Sequence, residues 1–238
     1  RLSLPYILSP LIKVGTEGMW GEGVAYSKKQ IYGISNEKLP PVNYDEHIIK
    51  SHSITHIEFP NHTQIDGEKL SDFLPSKPNY FYGPSTVVRL KENKYKNIKN
   101  EIFHWEVQLN DLKEAVESQV DPERLEKLLI TSDFCPENKS GFHDPNYVLT
   151  LSLESAEWLI NLPKFNLFGT SWKSSDYAPG SMQRPIHNTL FKRALIVENL
   201  ILSKVPEGNY FLVCIPIMLA GSSESPVTPV LFNAHELT

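Results

Sequence analysis

The spacing of apolar and polar positions changes character near residue 102. Before it, short apolar pieces such as "QIYGI" are interrupted by turn-rich stretches, "LSPL", "GTEGMWGEG" and "KLPPVNYDE", and no helical period is sustained over the first fifty residues. Such punctuation predicts short strands joined by long loops. "FYGPSTVVRL" then reads as a strand ending near Arg89, because β-branched Thr86, Val87 and Val88 suit a pleated surface.

From residue 102 strand and helix patterns alternate. "IFHWEVQL" sets Phe103, Trp105 and Val107 on one face; Asp111 is placed to cap a helix through about Gln119, and "PERLEKLL" fits a second helix with Pro122 in its first turn. "LLITSDF" is a buried-strand candidate, Ser152 an N-cap for "LESAEWLINL", and "FNLFGTSW" the strand after it. "HNTLFKR" reads as a short helix, followed by strands in "ALIVENL", "YFLVCIPIML" and "SPVTPVLF". This alternation predicts an α/β domain of mixed sheets with covering helices.

Composition narrows the picture. The 238 residues show no compositional break, so one domain spanning 1–238 is expected. With 40% hydrophobic and 21% charged residues the chain is of ordinary globular type, and a net charge of −5 offers no footprint for nucleic acid. The lysine-rich run "RLKENKYKNIKNE" reads as a solvated loop. Two cysteines, Cys135 and Cys214, define neither a disulfide framework nor a thiolate metal site. Asn61 and Asn138 stand in glycosylation-type sequons with no secretory context. No apolar run reaches membrane-spanning length and no cleavable signal is visible, so a cytoplasmic location is expected.

The densest chemistry lies in "HSITHIEFPNH", residues 52 to 62, which holds His52, His56, Glu58 and His62. A helix through it is disfavoured by β-branched Ile54, Thr55 and Ile57 and by Pro60. A strand puts the even-numbered residues on one face, but at roughly 3.3 Å per residue it separates positions 52 and 58 by about 20 Å, far beyond metal–ligand bonds of about 2 Å. The segment must therefore curl, with a turn between His52 and His56. Two imidazoles and a carboxylate then make a three-ligand site with a position left for water, whose pKa a zinc ion can lower to about 7. His62 is the spare base.

The same stretch resembles the signature of the metal-dependent cyclase and kynurenine formamidase family, written His-x-Gly-Thr-His-x-Asp-x-Pro-x-His. His52, Thr55, His56, Pro60 and His62 match it; Ile54 replaces the usual Gly and Glu58 the usual Asp. "ILSPLI" resembles the family's opening Asp-Leu-Ser strand, with Ile7 for the acid, and "FYGPSTVVRL", "SLESAEWLI", "HNTLFKRALIVENL", "VPEGNYFLVCIPIML" and "SPVTPV" follow in the family's order. The resemblance implies a swivelling β/β/α-like fold, with His52, His56 and Glu58 as metal ligands and His62 as general base. His187 and Glu198 would complete a second metal position. Asp176 in "SSDY" resembles the end of the family's Asp-x-x-Ser-x-Asp stretch, but Thr170 and Ser171 occupy the region of its first Asp. Asp176 is expected to orient the loop leading to His187 rather than to act in catalysis. Glu58 is one methylene longer than Asp, and Ile54 is expected to narrow the space beside the metal.

The activity implied is metal-dependent hydrolysis of an amide or related carbonyl compound, with N-formylkynurenine and the ring opening of isatin as examples. Zinc is the first choice of metal, and manganese or iron also suit the ligands. Trp20, Phe59, Tyr80 and Phe81 are candidates to stack on an aromatic substrate. A small-molecule substrate and a homo-oligomer, dimer or larger, are implied. Two other readings use the same residues: a cyclase or dehydratase acting on a polyketide-like or sugar-derived metabolite, and a catalytically silent metal-binding protein of the same fold. Neither a G-x-S-x-G elbow nor a Walker or dinucleotide glycine motif is present.

Overall fold

A computed structural model describes residues 4–36, 41–177 and 181–233. The turn-rich start forms β1 (Tyr6–Ile7), β2 (Tyr26–Tyr32) and β3 (Tyr44–Ile49), with β2 and β3 paired antiparallel as a sheet of their own. Residues 38–40 of "KLPPVNYDE" lie outside the described residues. There follow β4 (His56–Glu58), α1 (Leu70–Phe73), β5 (Tyr82–Leu90), β6 (Lys96–Lys99) and β7 (Ile102–Val107). Next come α2 (Leu109–Glu117), β8 (Lys127–Ser132), β9 (Tyr147–Leu151), α3 (Leu153–Asn161) and β10 (Leu167–Thr170). The chain continues with α4 (Pro185–Leu190), β11 (Leu195–Glu198), β12 (Gly208–Val213), β13 (Glu224–Pro226) and β14 (Val230–Asn233).

The main sheet has nine strands in the order β1-β14-β12-β5-β8-β10-β11-β4-β13. Its centre, β5-β8-β10-β11, is parallel, and antiparallel strands extend it on both sides. Each central strand carries a short apolar run, Val87–Val88, Leu128–Ile130, Leu167–Phe168 and Leu195–Val197, because both faces of the sheet are buried there. Val88, Leu128, Ile130, Phe168 and Ile196 face one core with α2, α3 and α4, whereas their neighbours Val87, Leu129, Leu167, Leu195 and Val197 face a second core with Phe59, Leu212 and Leu231. Gly169 on β10 is required by packing: a Cβ there would fall 2.4 Å from Leu129 Cδ2 and 2.7 Å from Leu200 Cδ1. A third, three-stranded sheet, β6-β7-β9, flanks the first core. The expected α/β class and mixed sheets are observed.

Several local expectations fail for identifiable reasons. "PERLEKLL" forms only a single tight turn over Pro122–Arg124, with Asp121 accepting from Glu123 N at 3.1 Å, before the chain extends into β8. Burial of every β8 residue in the middle of the sheet overrides the helical spacing. Helix α2 begins two residues before Asp111, with Gln108 at its N-cap, and Asp111 lies in the first turn beside the positive end of the helix. Ser152 caps α3 as expected, accepting from Ser155 N at 3.2 Å. Part of the lysine-rich run pairs with β7 as the exposed strand β6. The strand in "YFLVCIPIML" stops at Val213, since Pro216 cannot donate to a ladder, and Ile215, Ile217, Met218 and Leu219 are left exposed. "SPVTPVLF" contributes to two strands, β13 and β14, rather than one.

Candidate metal centre

β4 runs antiparallel between β11 and β13, and this register assembles the site. His56 lies opposite Glu198 on one neighbour, and Glu58 lies opposite Glu224 on the other. Two residues apart on a strand, His56 and Glu58 point to the same side. Tight turns at Ser51–Ser53 and Pro60–His62 bend the flanks inward, so that the rings of His52 and His56 lie 4.8 Å apart and those of His52 and His62 4.6 Å apart. The curl expected between His52 and His56 is therefore present. Asn199 clasps it: its amide donates to the carbonyls of His52 (3.3 Å) and Ile54 (3.1 Å), and Thr55 Oγ1 donates to the Asn199 carbonyl at 2.8 Å. Asn199 does this from a left-handed backbone, φ +60°, a conformation asparagine tolerates better than most residues.

Glu58 is the hub, fully buried. Its Oε1 lies 3.2 Å from His56 Nε2, 3.4 Å from His62 Nε2 and 3.7 Å from His52 Nε2; its Oε2 lies 3.1 Å from His187 Nε2. Glu198 adds contacts of 3.8 Å to His56 Nε2 and 3.5 Å to His187 Nε2. The opposite ring nitrogens are already occupied. His56 Nδ1 meets the Ile54 carbonyl at 2.8 Å, His187 Nδ1 meets Asp176 Oδ2 at 2.7 Å, and His62 Nδ1 meets Glu224 Oε2 at 3.1 Å. A nitrogen facing a carbonyl or carboxylate carries the proton, which leaves each Nε2 with a lone pair aimed at a carboxylate. Lone pairs facing lone pairs need either extra protons or a cation between them. Glu58 Oε2, moreover, is buried without a hydrogen-bond partner although His187 Nε2 is close.

The electrostatics show the same tension. Burial lowers the pKa of His187, but Glu58, Asp176 and Glu198 outweigh it and hold that pKa well above the ordinary imidazole value. Burial likewise opposes charging of His56, and Glu58 and Glu198 more than compensate. Glu58 is held well below the usual carboxylate range, because His187 and His56 overcome the effect of its burial. Burial and the adjacent His56 lower the pKa of His52. The His62 hydrogen bond, against partial burial and with help from His52, brings Glu224 down to about 2. The residues present suit a cation. His52, His56 and Glu58 form one group with ligand atoms within 4.8 Å of one another; Glu58, His187 and Glu198 form a second, and His52, His62 and Glu224 a third.

All five expected metal-site residues and His62 are thus together. Glu58, the departure from the family's Asp, directs one oxygen to His52, His56 and His62 and the other to His187. Ile54 turns away from the cavity and packs with Met19, Ala25 and Phe142, so it does not narrow the site. Asp176 accepts from Ile186 N at 3.0 Å and His187 N at 2.9 Å as well as from the His187 ring, which makes it the anchor of that histidine. Sequence reasoning missed Glu224, Asn199 and Ser175, whose N and Oγ donate to Glu198 Oε1 at 2.6 and 2.8 Å. The cluster opens into a cavity of about 530 Å³ whose outer wall includes Trp20, Glu22, Ile49, Lys50 and Arg184. Of the aromatic residues considered for stacking, Trp20 lines this cavity, while Phe59, Tyr80 and Phe81 pack in or against the second core.

Comparison with known proteins agrees with this geometry. Solved structures with the same fold include a potential metal-dependent hydrolase with cyclase activity (TM-score 0.67, 21% identity, 97% of this chain and 98% of that one). Another is isatin hydrolase A from Ralstonia solanacearum (TM-score 0.67, 17% identity, 97% and 92%). The fold is therefore that of the metal-dependent hydrolases and cyclases. In sequence, the chain is 26% identical to the kynurenine formamidase of Salinibacter ruber over 204 residues (84% of this chain, 85% of the relative). It is 28% identical to that of Bacillus anthracis over 199 residues (83% of each). No protein-family model matches. The chain is thus similar in sequence to kynurenine formamidases and in fold to metal-dependent hydrolases and cyclases, the proteins that its histidine motif resembles.

Proposed function

We propose that this protein is a metal-dependent hydrolase that cleaves an amide or a related carbonyl bond, as its formamidase and isatin hydrolase relatives do. The observation that carries this reading is the convergence of three imidazole lone pairs on the buried Glu58 carboxylate, each imidazole tied at its far nitrogen. Metal-ligating histidines are tied in this way, which fixes the tautomer and raises the basicity of the free nitrogen. His52, His56 and Glu58 would hold one ion, and Glu58, His187 and Glu198 a second. Zinc is the first choice, with manganese or iron also suited to these ligands. When bound, such an ion supplies a water that ionises near neutral pH and a Lewis acid for the substrate carbonyl.

The chain's own residues do the rest. Glu224 fixes His62 with its proton on Nδ1, so Nε2 is free to take a proton from the attacking water and pass it to the leaving nitrogen. Asp176 keeps the His187 ring aligned on Glu58, and Ser175 holds Glu198. In this reading residues 1–238 act as one cyclase-like unit, in the cytoplasm, on a small molecule. Exposed Ile215, Ile217, Met218 and Leu219 support a dimer or larger assembly of the chain.

The test is metal content by mass spectrometry, with formanilide hydrolysis, for the wild type and a His52→Ala, His56→Ala double variant. One or two transition-metal ions in the wild type only, with hydrolysis confined to it, is the expected result. A wild type that takes up no metal when zinc or manganese is supplied overturns the proposal.

A further inference from the structure

The outer wall of the cavity contains a charge that the described residues leave unanswered. Glu22 accepts from Trp20 N at 2.8 Å and from the Ser53 hydroxyl, and the Lys50 ammonium donates to the Glu22 carbonyl. Glu58, Glu198 and Glu224 face imidazoles. Arg184, partly buried in the same wall, makes no side-chain hydrogen bond or ion pair among the described residues. Its backbone sits in the left-handed region (φ +48°, ψ +56°) immediately before Pro185 and α4. Proline discourages the right-handed helical region for the residue preceding it, and a left-handed backbone is strained for arginine.

Trp20 stands in the same wall, 41% exposed, with the Lys173 ammonium 4.5 Å above its ring and its backbone N–H fixed by Glu22. The cavity thus offers a held aromatic surface and, among the described residues, an unpaired guanidinium beside the histidine cluster. A guanidinium matches a carboxylate as a two-pronged donor. Glu22 and Glu224 in the same wall favour a monoanion over a dianionic phosphate, which would meet stronger repulsion.

Resting on the hydrolase reading, we propose that Arg184 selects substrates that carry a carboxylate, and that Trp20 stacks on their planar aryl or amide body. Arg184 is a specificity residue in this scheme, outside the proton transfers.

The test uses two formamides that differ by one group, 2-formamidobenzoate and formanilide, each cleaved by water to formate and the aromatic amine. Metal-loaded wild type is compared with Arg184→Asn, which removes the guanidinium while suiting a left-handed backbone, and with Arg184→Lys, which keeps a charge. Calorimetric titration with 2-aminobenzoate and with aniline gives a readout independent of turnover. The expected result is a wild-type kcat/KM preference for 2-formamidobenzoate that falls about tenfold to a hundredfold in Arg184→Asn, mainly through KM, and partly returns in Arg184→Lys. Binding of 2-aminobenzoate should weaken in parallel. If the wild type hydrolyses both formamides and their ratio is unchanged in Arg184→Asn, the anion site is overturned and the hydrolase reading stands. If neither is hydrolysed but 2-aminobenzoate binds in an Arg184-dependent way, the hydrolase reading fails and the anion site stands.

Discussion

Charge is buried at two places on the main sheet, and the two are built differently. Lys127 opens β8 and Glu198 closes β11; the central strands are parallel, so these groups lie at opposite ends of them. Lys127 is fully buried, and its ammonium donates to Asn79 O and Asn166 Oδ1, both at 2.8 Å. Two neutral acceptors answer one cation, and burial brings its pKa down to about 8. At the other end acceptors outnumber donors, and a buried carboxylate oxygen has no partner. Burial of charge is common to both regions; surplus lone pairs converging on one point belong to one of them. That region lies at the carboxyl ends of the parallel strands, where open α/β sheets bind their ligands.

The sharpest way to break the contrast is Glu58→Gln. It should abolish metal uptake, read by mass spectrometry, and cost the metal-free protein about 3–5 kcal/mol in denaturant titration, since buried imidazoles lose their counter-charge. Asp176→Asn removes the anchor of His187 while leaving the ligands in place. It should lower metal affinity about tenfold to a hundredfold in a competitive chelator titration, with the fold intact by circular dichroism.

Lys127→Met tests the other end. The folded chain releases the Lys127 proton near pH 8, whereas the unfolded chain holds it to about 10.5. The unfolded state binds more protons between those values, so this group makes stability rise with pH there, by about 3 kcal/mol in total. Denaturant titrations from pH 7.5 to 11 should show that increment in the wild type and lose it in Lys127→Met, while metal content is the same in both. The smallest effect is expected where charge is in water. Lys94, 2.9 Å from Asp111 on the surface, should change stability by no more than about 0.5 kcal/mol when replaced by alanine.

How far the site could be read from the sequence follows the range of the contacts that build it. His52, His56, Glu58 and His62 lie in one short segment, and simple chain geometry already requires that segment to curl. His187 and Glu198 carried no local signal and entered through resemblance. Glu224 was missed because only the β4–β13 register brings it to Glu58 and His62, and three-residue β13 has little periodicity to reveal that pairing. The helix expected at 122–129 failed for a related reason. Apolar spacing there suits a helix, but β5 and β10 flank the segment on both sides and hold it extended. Lys127, inside that segment, is among the most deeply buried side chains.

The insertion of β4 between β11 and β13 also sets when the cluster can assemble. A nascent chain emerging from the ribosome presents its histidine-rich segment before either neighbouring strand is translated. Glu198 and Glu224 are translated well over a hundred residues after Glu58, and the ladder that aligns His56 and Glu58 forms only with them. The histidine cluster is therefore completed by the docking of β11 and β13 on β4, not by the appearance of its first imidazoles.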